Sequence, residues 1–182
     1  MTGRLMALLA AVVLVVAACG SGSNAQPAAA PTVPATASPS RPGAHPPVPA
    51  QLQFTATTLD GRRFAGESLL GKPAVLWFWA PWCPTCRGEA PMIGKVAAAH
   101  PAVTFVGVAA RDQPSAIQAF VDKYHLNAVT TLADTDGAVW AKFGVVAQPA
   151  FAFVGPTGSV EVVEGPLSDA ELTARVTALT PK

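Results

Sequence analysis

The feature that most constrains this chain is an apolar strand that runs directly into a cysteine pair. Ala74-Val75-Leu76-Trp77-Phe78-Trp79 is an unbroken apolar run with the length and composition of a strand covered on both faces. Ala80 and Pro81 end it, and Trp82-Cys83-Pro84-Thr85-Cys86 follows. A helix is predicted from Pro84 to about Ala99, because the first helical position is the one that readily accepts proline. Cys83 then sits at a helix N-terminus, where unpaired N–H groups and the positive end of the dipole favour a thiolate. Cys86 lies three residues on, nearly one turn further along the same face, so the two sulfurs can meet. The expected roles follow: Cys83 is the exposed attacking thiol that forms a mixed disulfide, and Cys86 the buried thiol that resolves it.

The remaining cysteine strengthens this reading. The chain has three, and Cys19 closes an apolar run from Leu5 to Ala18 that follows Arg4. A membrane span needs about 20 apolar residues, and the shorter run suits a signal peptide. Residues 1–18 are therefore read as a cleaved signal. Val16-Ala17-Ala18-Cys19 resembles a bacterial lipobox, which makes Cys19 the expected lipidation site and membrane anchor, with simple secretion as the alternative. With Cys19 so assigned, no third thiol remains for a structural disulfide. An exported chain whose only pair is CxxC uses it for exchange chemistry or for metal.

Residues 19–50 are dominated by Ala, Pro, Ser, Thr and Gly, with eight prolines and no Phe, Trp or Tyr between Gly20 and Ala50. Such a segment cannot bury enough apolar surface to offset its ordering entropy and is expected to be a disordered tether. In polyproline-like form it could reach up to ~90 Å. The folded domain is expected over residues 51–182. Leu52 to Thr57 alternates like a strand, and Asp60-Gly61 marks a hairpin turn before Arg62-Arg63-Phe64. Val103 to Ala109 reads as a second buried strand, Pro114 to Tyr124 as an amphipathic helix, and Ala138 to Phe143 as a short one. Ala150 to Val154 and Ser159 to Val163 flank a Gly-Pro-Thr-Gly turn. Ser168 and Glu171 form the ends of a capping box opening a last helix. Strands alternating with helices, then a terminal hairpin and helix, define an α/β fold with a mixed sheet covered on both sides.

Function classes narrow in parallel. A net charge of +1 offers no basic surface for nucleic acid. Tetrahedral zinc wants four ligands, and His45, His100 and His125 make no second pair at ligand spacing. No metal site is therefore expected.

The stretch Gly71-Lys72-Pro73, followed by Val75 to Cys86 with its Phe-Trp-Ala-x-Trp-Cys-x-x-Cys core, resembles the extracytoplasmic branch of the thioredoxin superfamily, typified by TlpA, ResA and DsbE. With Leu52-Gln53-Phe54 it is most like the mycobacterial DsbE/DsbF-type proteins, and the resemblance runs from Leu52 to Leu179. It implies a thioredoxin-like sheet flanked by helices, an N-terminal β-hairpin, and a thiol–disulfide oxidoreductase with no cofactor beyond the Cys83–Cys86 disulfide. Its partners would be exported cysteine-containing proteins and a membrane or soluble redox partner that recycles the pair. Pro91 matches a proline inside the active-site helix. Pro149, after Gln148, matches the family's cis-proline, expected opposite the disulfide to pair with an extended substrate and to block metal capture. Trp82, Pro84, Thr85, Gln148 and Pro149 thus become candidate substrate-binding residues. Pro149 follows Cys86 by 63 residues, which implies an inserted strand–helix element. Thioredoxin's buried aspartate is replaced by Trp77, and Glu89 matches the acidic position of ResA- and TlpA-like proteins. Glu89 is therefore the candidate proton-transfer group, weighed against a solvated first-turn glutamate. Arg87 is expected to be a surface charge, and Trp79, Trp140 and Phe143 core residues. The resemblance leaves direction open: oxidase is favoured, and reductant of apocytochrome c or other exported thiols is the alternative. Copper or haem delivery is a further class, but copper-delivering relatives use CxxxC with a distant histidine. A peroxiredoxin shares the fold but sets its reactive cysteine in a different local pattern.

Overall fold

Residues 47–180 are described by a computed structural model of the protein. The expected signal peptide, Cys19 and the expected tether as far as residue 46 lie outside the described residues. Packing starts a few residues before the expected boundary at 51. Val48 packs against the core, its carbonyl accepts the Gln53 side-chain amide at 2.8 Å, and Ala50–Leu52 form a 3-10 turn that buries Leu52 completely.

That turn replaces the first half of the strand expected from Leu52. Only β1 (Thr55–Thr57) is extended, paired antiparallel with β2 (Arg63–Ala65) around the Asp60-Gly61 turn, where Gly61 has φ 82°. The cause is tertiary. A β-carbon on Gly66 would lie 2.4 Å from the Leu52 carbonyl oxygen, so the backbones meet there and the chain must bend to send Leu52 inward.

The main sheet has the order β5-β4-β3-β6-β7, with β3 (Ala74–Trp79) at its centre. β4 (Thr104–Ala110) and β5 (Thr130–Asp134) run parallel to it, while β6 (Ala150–Val154) is antiparallel to β3 and β7 (Val160–Glu164) to β6. α1 (Pro84–Ala99), α2 (Pro114–Lys123), α3 (Ala138–Phe143) and α4 (Asp169–Leu179) complete the domain. β5 and α3 lie between Cys86 and Pro149, the interval in which the resemblance implies an inserted strand–helix element. The architecture is thioredoxin-like, with the sheet flanked by helices.

β3 shows why its run is apolar throughout. Successive side chains of a strand point to opposite faces. Val75, Trp77 and Trp79 enter the cluster beneath α1, α2 and α4, while Ala74, Leu76 and Phe78 enter the one beneath α3. Both faces are covered, so neither set can be polar. α4 begins with the expected capping box, Ser168 and Glu171 each accepting the other's backbone N–H.

Candidate active site

β3 delivers its C-terminal end to the cysteine pair, and α1 begins there. Cys83 is the N-cap residue of α1, and its Sγ accepts the Cys86 N–H at 3.2 Å. Pro84 occupies the first turn as expected. The first helical N–H groups have no partner within the helix, so a sulfur placed there receives one of them. Both cysteines are free thiols. The exposed Cys83 of the sequence reading requires correction: it is only 4% exposed, against 0% for Cys86. The N-cap contact turns its sulfur in toward the helix end, and only an edge of the residue meets solvent. Burial, followed by the hydrogen bond to Cys83, pushes the Cys86 thiol well above its ordinary range, and the nearby Glu89 charge adds to this.

Glu89 is not a solvated first-turn residue. It is 6% exposed on the face of α1 that also carries Cys86, Ala90 and Ile93 into the core. Its Oε2 accepts Trp77 Nε1–H at 3.3 Å, and its Oε1 accepts the Leu167 backbone N–H at 3.0 Å. Burial raises its pKa, opposed by those two hydrogen bonds. The tryptophan that stands in place of a buried acid on β3 therefore hydrogen-bonds the acid that α1 supplies. Trp77 is itself held by stacking on Trp79, with ring centroids 5.3 Å apart.

The other candidates occupy the same end of the sheet. The Gln148–Pro149 peptide bond is cis. Phe78 pairs with Ala150, so Pro149 stands one residue beyond the ladder, level with Trp79 where β3 runs out toward Cys83. Pro149 is buried, Gln148 half-buried, and Pro84 and Thr85 exposed. Trp82 is 45% exposed and borders a groove of about 410 Å³ lined by Pro81, Arg87, Asp112, Phe120 and Tyr124. Arg87 is exposed, as expected, with Nε on the Pro81 carbonyl. Trp79, Trp140 and Phe143 are core residues. Cys19 lies outside the described residues.

One residue escaped the sequence reading. The Trp82 indole N–H is accepted by the Arg111 carbonyl at 3.1 Å, and the Arg111 guanidinium donates to the Val146 carbonyl at 3.2 Å. The available signal was topological: Arg111 follows a strand parallel to β3, and sites in such sheets gather at the carboxyl ends of the strands.

A helix-capped CxxC at the end of a central strand, in this fold, defines a thioredoxin-like thiol–disulfide oxidoreductase. A family model described as AhpC/TSA family matches residues 48–163. The chain belongs to that family. It is 56% identical over 133 residues to the soluble secreted antigen MPT53 of Mycobacterium tuberculosis, covering 71% of this chain and 76% of that one. Among solved structures, MTB DsbF in mixed oxidized and reduced forms aligns with a TM-score of 0.73 and 70% identity, over 74% of this chain and 100% of its own. A secreted M. tuberculosis disulfide oxidoreductase, described as homologous to E. coli DsbE, aligns with a TM-score of 0.67 and 56% identity, over 70% and 97% of the two chains.

Proposed function

We propose that this protein is an exported oxidase that passes the Cys83–Cys86 disulfide to cysteine-containing proteins, with no cofactor beyond that disulfide. A client thiolate attacks Cys83 Sγ, the bond to Cys86 breaks, and Cys86 leaves with the electron pair and takes up a proton. A second client thiolate attacks the client's own sulfur and expels Cys83. The client keeps a disulfide, and the protein is left as the dithiol. A membrane or soluble partner then removes two electrons and two protons to restore it.

The observation that carries the direction is the Cys86 N–H on Cys83 Sγ at the start of α1. A backbone donor aimed at that sulfur favours the reduced pair, and a pair whose reduced form is stabilised is an oxidant. The reductase reading, toward apocytochrome c or other exported thiols, is favoured by Glu89, buried on the Cys86 face of α1 at the position matched to ResA- and TlpA-like proteins. A redox titration of the pair separates them. A potential near −120 mV is expected of the oxidase, and one near −270 mV would replace it with the reductant.

Export is supported by the apolar run before Cys19 and by the relative called soluble and secreted. Anchoring through lipid on Cys19 rests on Val16-Ala17-Ala18-Cys19. Palmitate incorporation that disappears in Cys19→Ala distinguishes an anchored form from a released one.

A further inference from the structure

Arg111 lies just past the end of β4 with φ 60°, a left-handed conformation that long side chains seldom adopt. Three contacts meet at it. Its carbonyl accepts the Trp82 indole N–H, its guanidinium donates to the Val146 carbonyl, and the guanidinium carbon lies 5.2 Å from the centroid of the Trp140 ring. Trp82 and Val146, at 45% and 71% exposure, are two of the three large apolar side chains exposed among the described residues. Trp82 is on the segment that carries the cysteine pair, and Val146 on the segment leading into the Gln148–Pro149 bond. Arg111 holds the first with its backbone and the second with its side chain. Glycine would take φ 60° without strain but would lose both the Val146 and the Trp140 contacts. A strained arginine in such a place points to a task for its side chain.

We propose that Arg111 is a positioning residue that fixes the separation of the Trp82 and Val146 segments, and thereby sets how an extended client segment with apolar residues beside its cysteine docks at Cys83. This rests on the disulfide-exchange reading above. Arg111 takes no part in bond making, so its effect belongs in client binding. A planar guanidinium that donates to the Val146 carbonyl while lying over Trp140 is a combination lysine only half reproduces.

The test compares the oxidised wild-type protein, Arg111→Gly and Arg111→Lys. Each is assayed against a reduced cysteine peptide with apolar flanks and against dithiothreitol, with a small-molecule disulfide present to restore Cys83–Cys86 and the rate without protein subtracted. For Arg111→Gly, KM for the peptide is expected to rise about fivefold while kcat moves less than about twofold, the loss expected of one charge-assisted contact at a surface. The peptide-to-dithiothreitol rate ratio should fall in step, and Arg111→Lys should recover part of it. Because glycine suits φ 60°, the thermal midpoint of Arg111→Gly should not drop, which separates docking from misfolding. An unchanged peptide KM overturns the proposal, and so does a parallel fall in both rates, since that would place the effect on the thiols. If the wild-type protein oxidises neither reagent, the exchange reading itself fails and takes this inference with it.

Discussion

Replacing Cys83 with serine is expected to stop disulfide exchange, lowering turnover by about 10³-fold or more. The expectation rests on the inequality of the two thiols. Cys83 Sγ sits at the N-cap of α1 with the Cys86 N–H donated to it, and an edge of the residue reaches solvent. Cys86 is completely buried, and burial, the Cys83 contact and the Glu89 charge all push its thiol up. A sulfur without access cannot be reached by a client thiolate, and as a neutral thiol it cannot begin the reverse attack either, because the thiolate is the nucleophile. Cys86 therefore cannot substitute for Cys83. Turnover of a reduced client by Cys83→Ser checks this, and activity within tenfold of wild type would reverse the assignment.

The second large effect belongs to Glu89→Gln. When Cys86 resolves a mixed disulfide, it must lose a proton inside the core, and in the oxidase direction it must regain one. Glu89 is a buried acid one helical turn from it, and burial has raised the glutamate's own pKa toward the range useful for proton transfer. General acid–base assistance is worth about 10² to 10⁴-fold, so the Cys86 step should slow about 10²-fold in the variant, with attack by Cys83 changing far less. In the wild type, resolution by Cys86 should accelerate as pH rises through the raised Glu89 pKa, while the reverse, oxidase step, which needs the protonated carboxyl, should slow; Glu89→Gln should lose both dependences.

Stability carries the same signature with a definite sign. A carboxyl whose folded pKa is raised stabilises the fold most below its unfolded value of 4.5, and that contribution disappears as pH climbs through the folded value. Asp134, also raised by burial, acts in the same direction, so the difference between wild type and Glu89→Gln isolates Glu89. Denaturant unfolding across this window should show the wild type losing stability relative to the variant. Parallel curves together with an unchanged Cys86 step would remove Glu89 from proton transfer and leave it a structural role.

The sheet and its helices were legible where local chemistry and tertiary packing agree. Pro84 marks the start of α1, Ser168 and Glu171 cap α4, and the run from Ala74 to Trp79 announces a strand covered on both faces. Legibility failed where distant backbone decides. Leu52 to Phe54 alternates like a strand, yet it bends because Gly66 admits the Leu52 carbonyl at close range. Thr130–Asp134 carries no apolar run to announce a strand, and its place at the sheet edge comes from pairing with β4. At the site, the resemblance singled out Glu89, three residues past the buried Cys86, but the sequence alone did not decide between a buried acid and a solvated one. Nor does spacing reveal that Trp77 donates to Glu89. Arg111 carries no motif, since its role comes from a positive φ and from two segments distant in sequence.

The central claim is that disulfides pass between Cys83 and client proteins while Cys86 opens or closes the bond to Cys83. Because exchange is reversible, attack of Cys83 on a client disulfide yields the same mixed disulfide, which Cys86 would resolve. The claim is tested most directly by mapping what Cys86→Ser captures. Without the resolving thiol, the mixed disulfide has no internal route of release. Purified Cys86→Ser, mixed with an oxidised client, alkylated and digested without reduction, should yield one cross-linked peptide joining Cys83 to a client cysteine. No cross-link, or one that maps elsewhere than Cys83, would contradict the account.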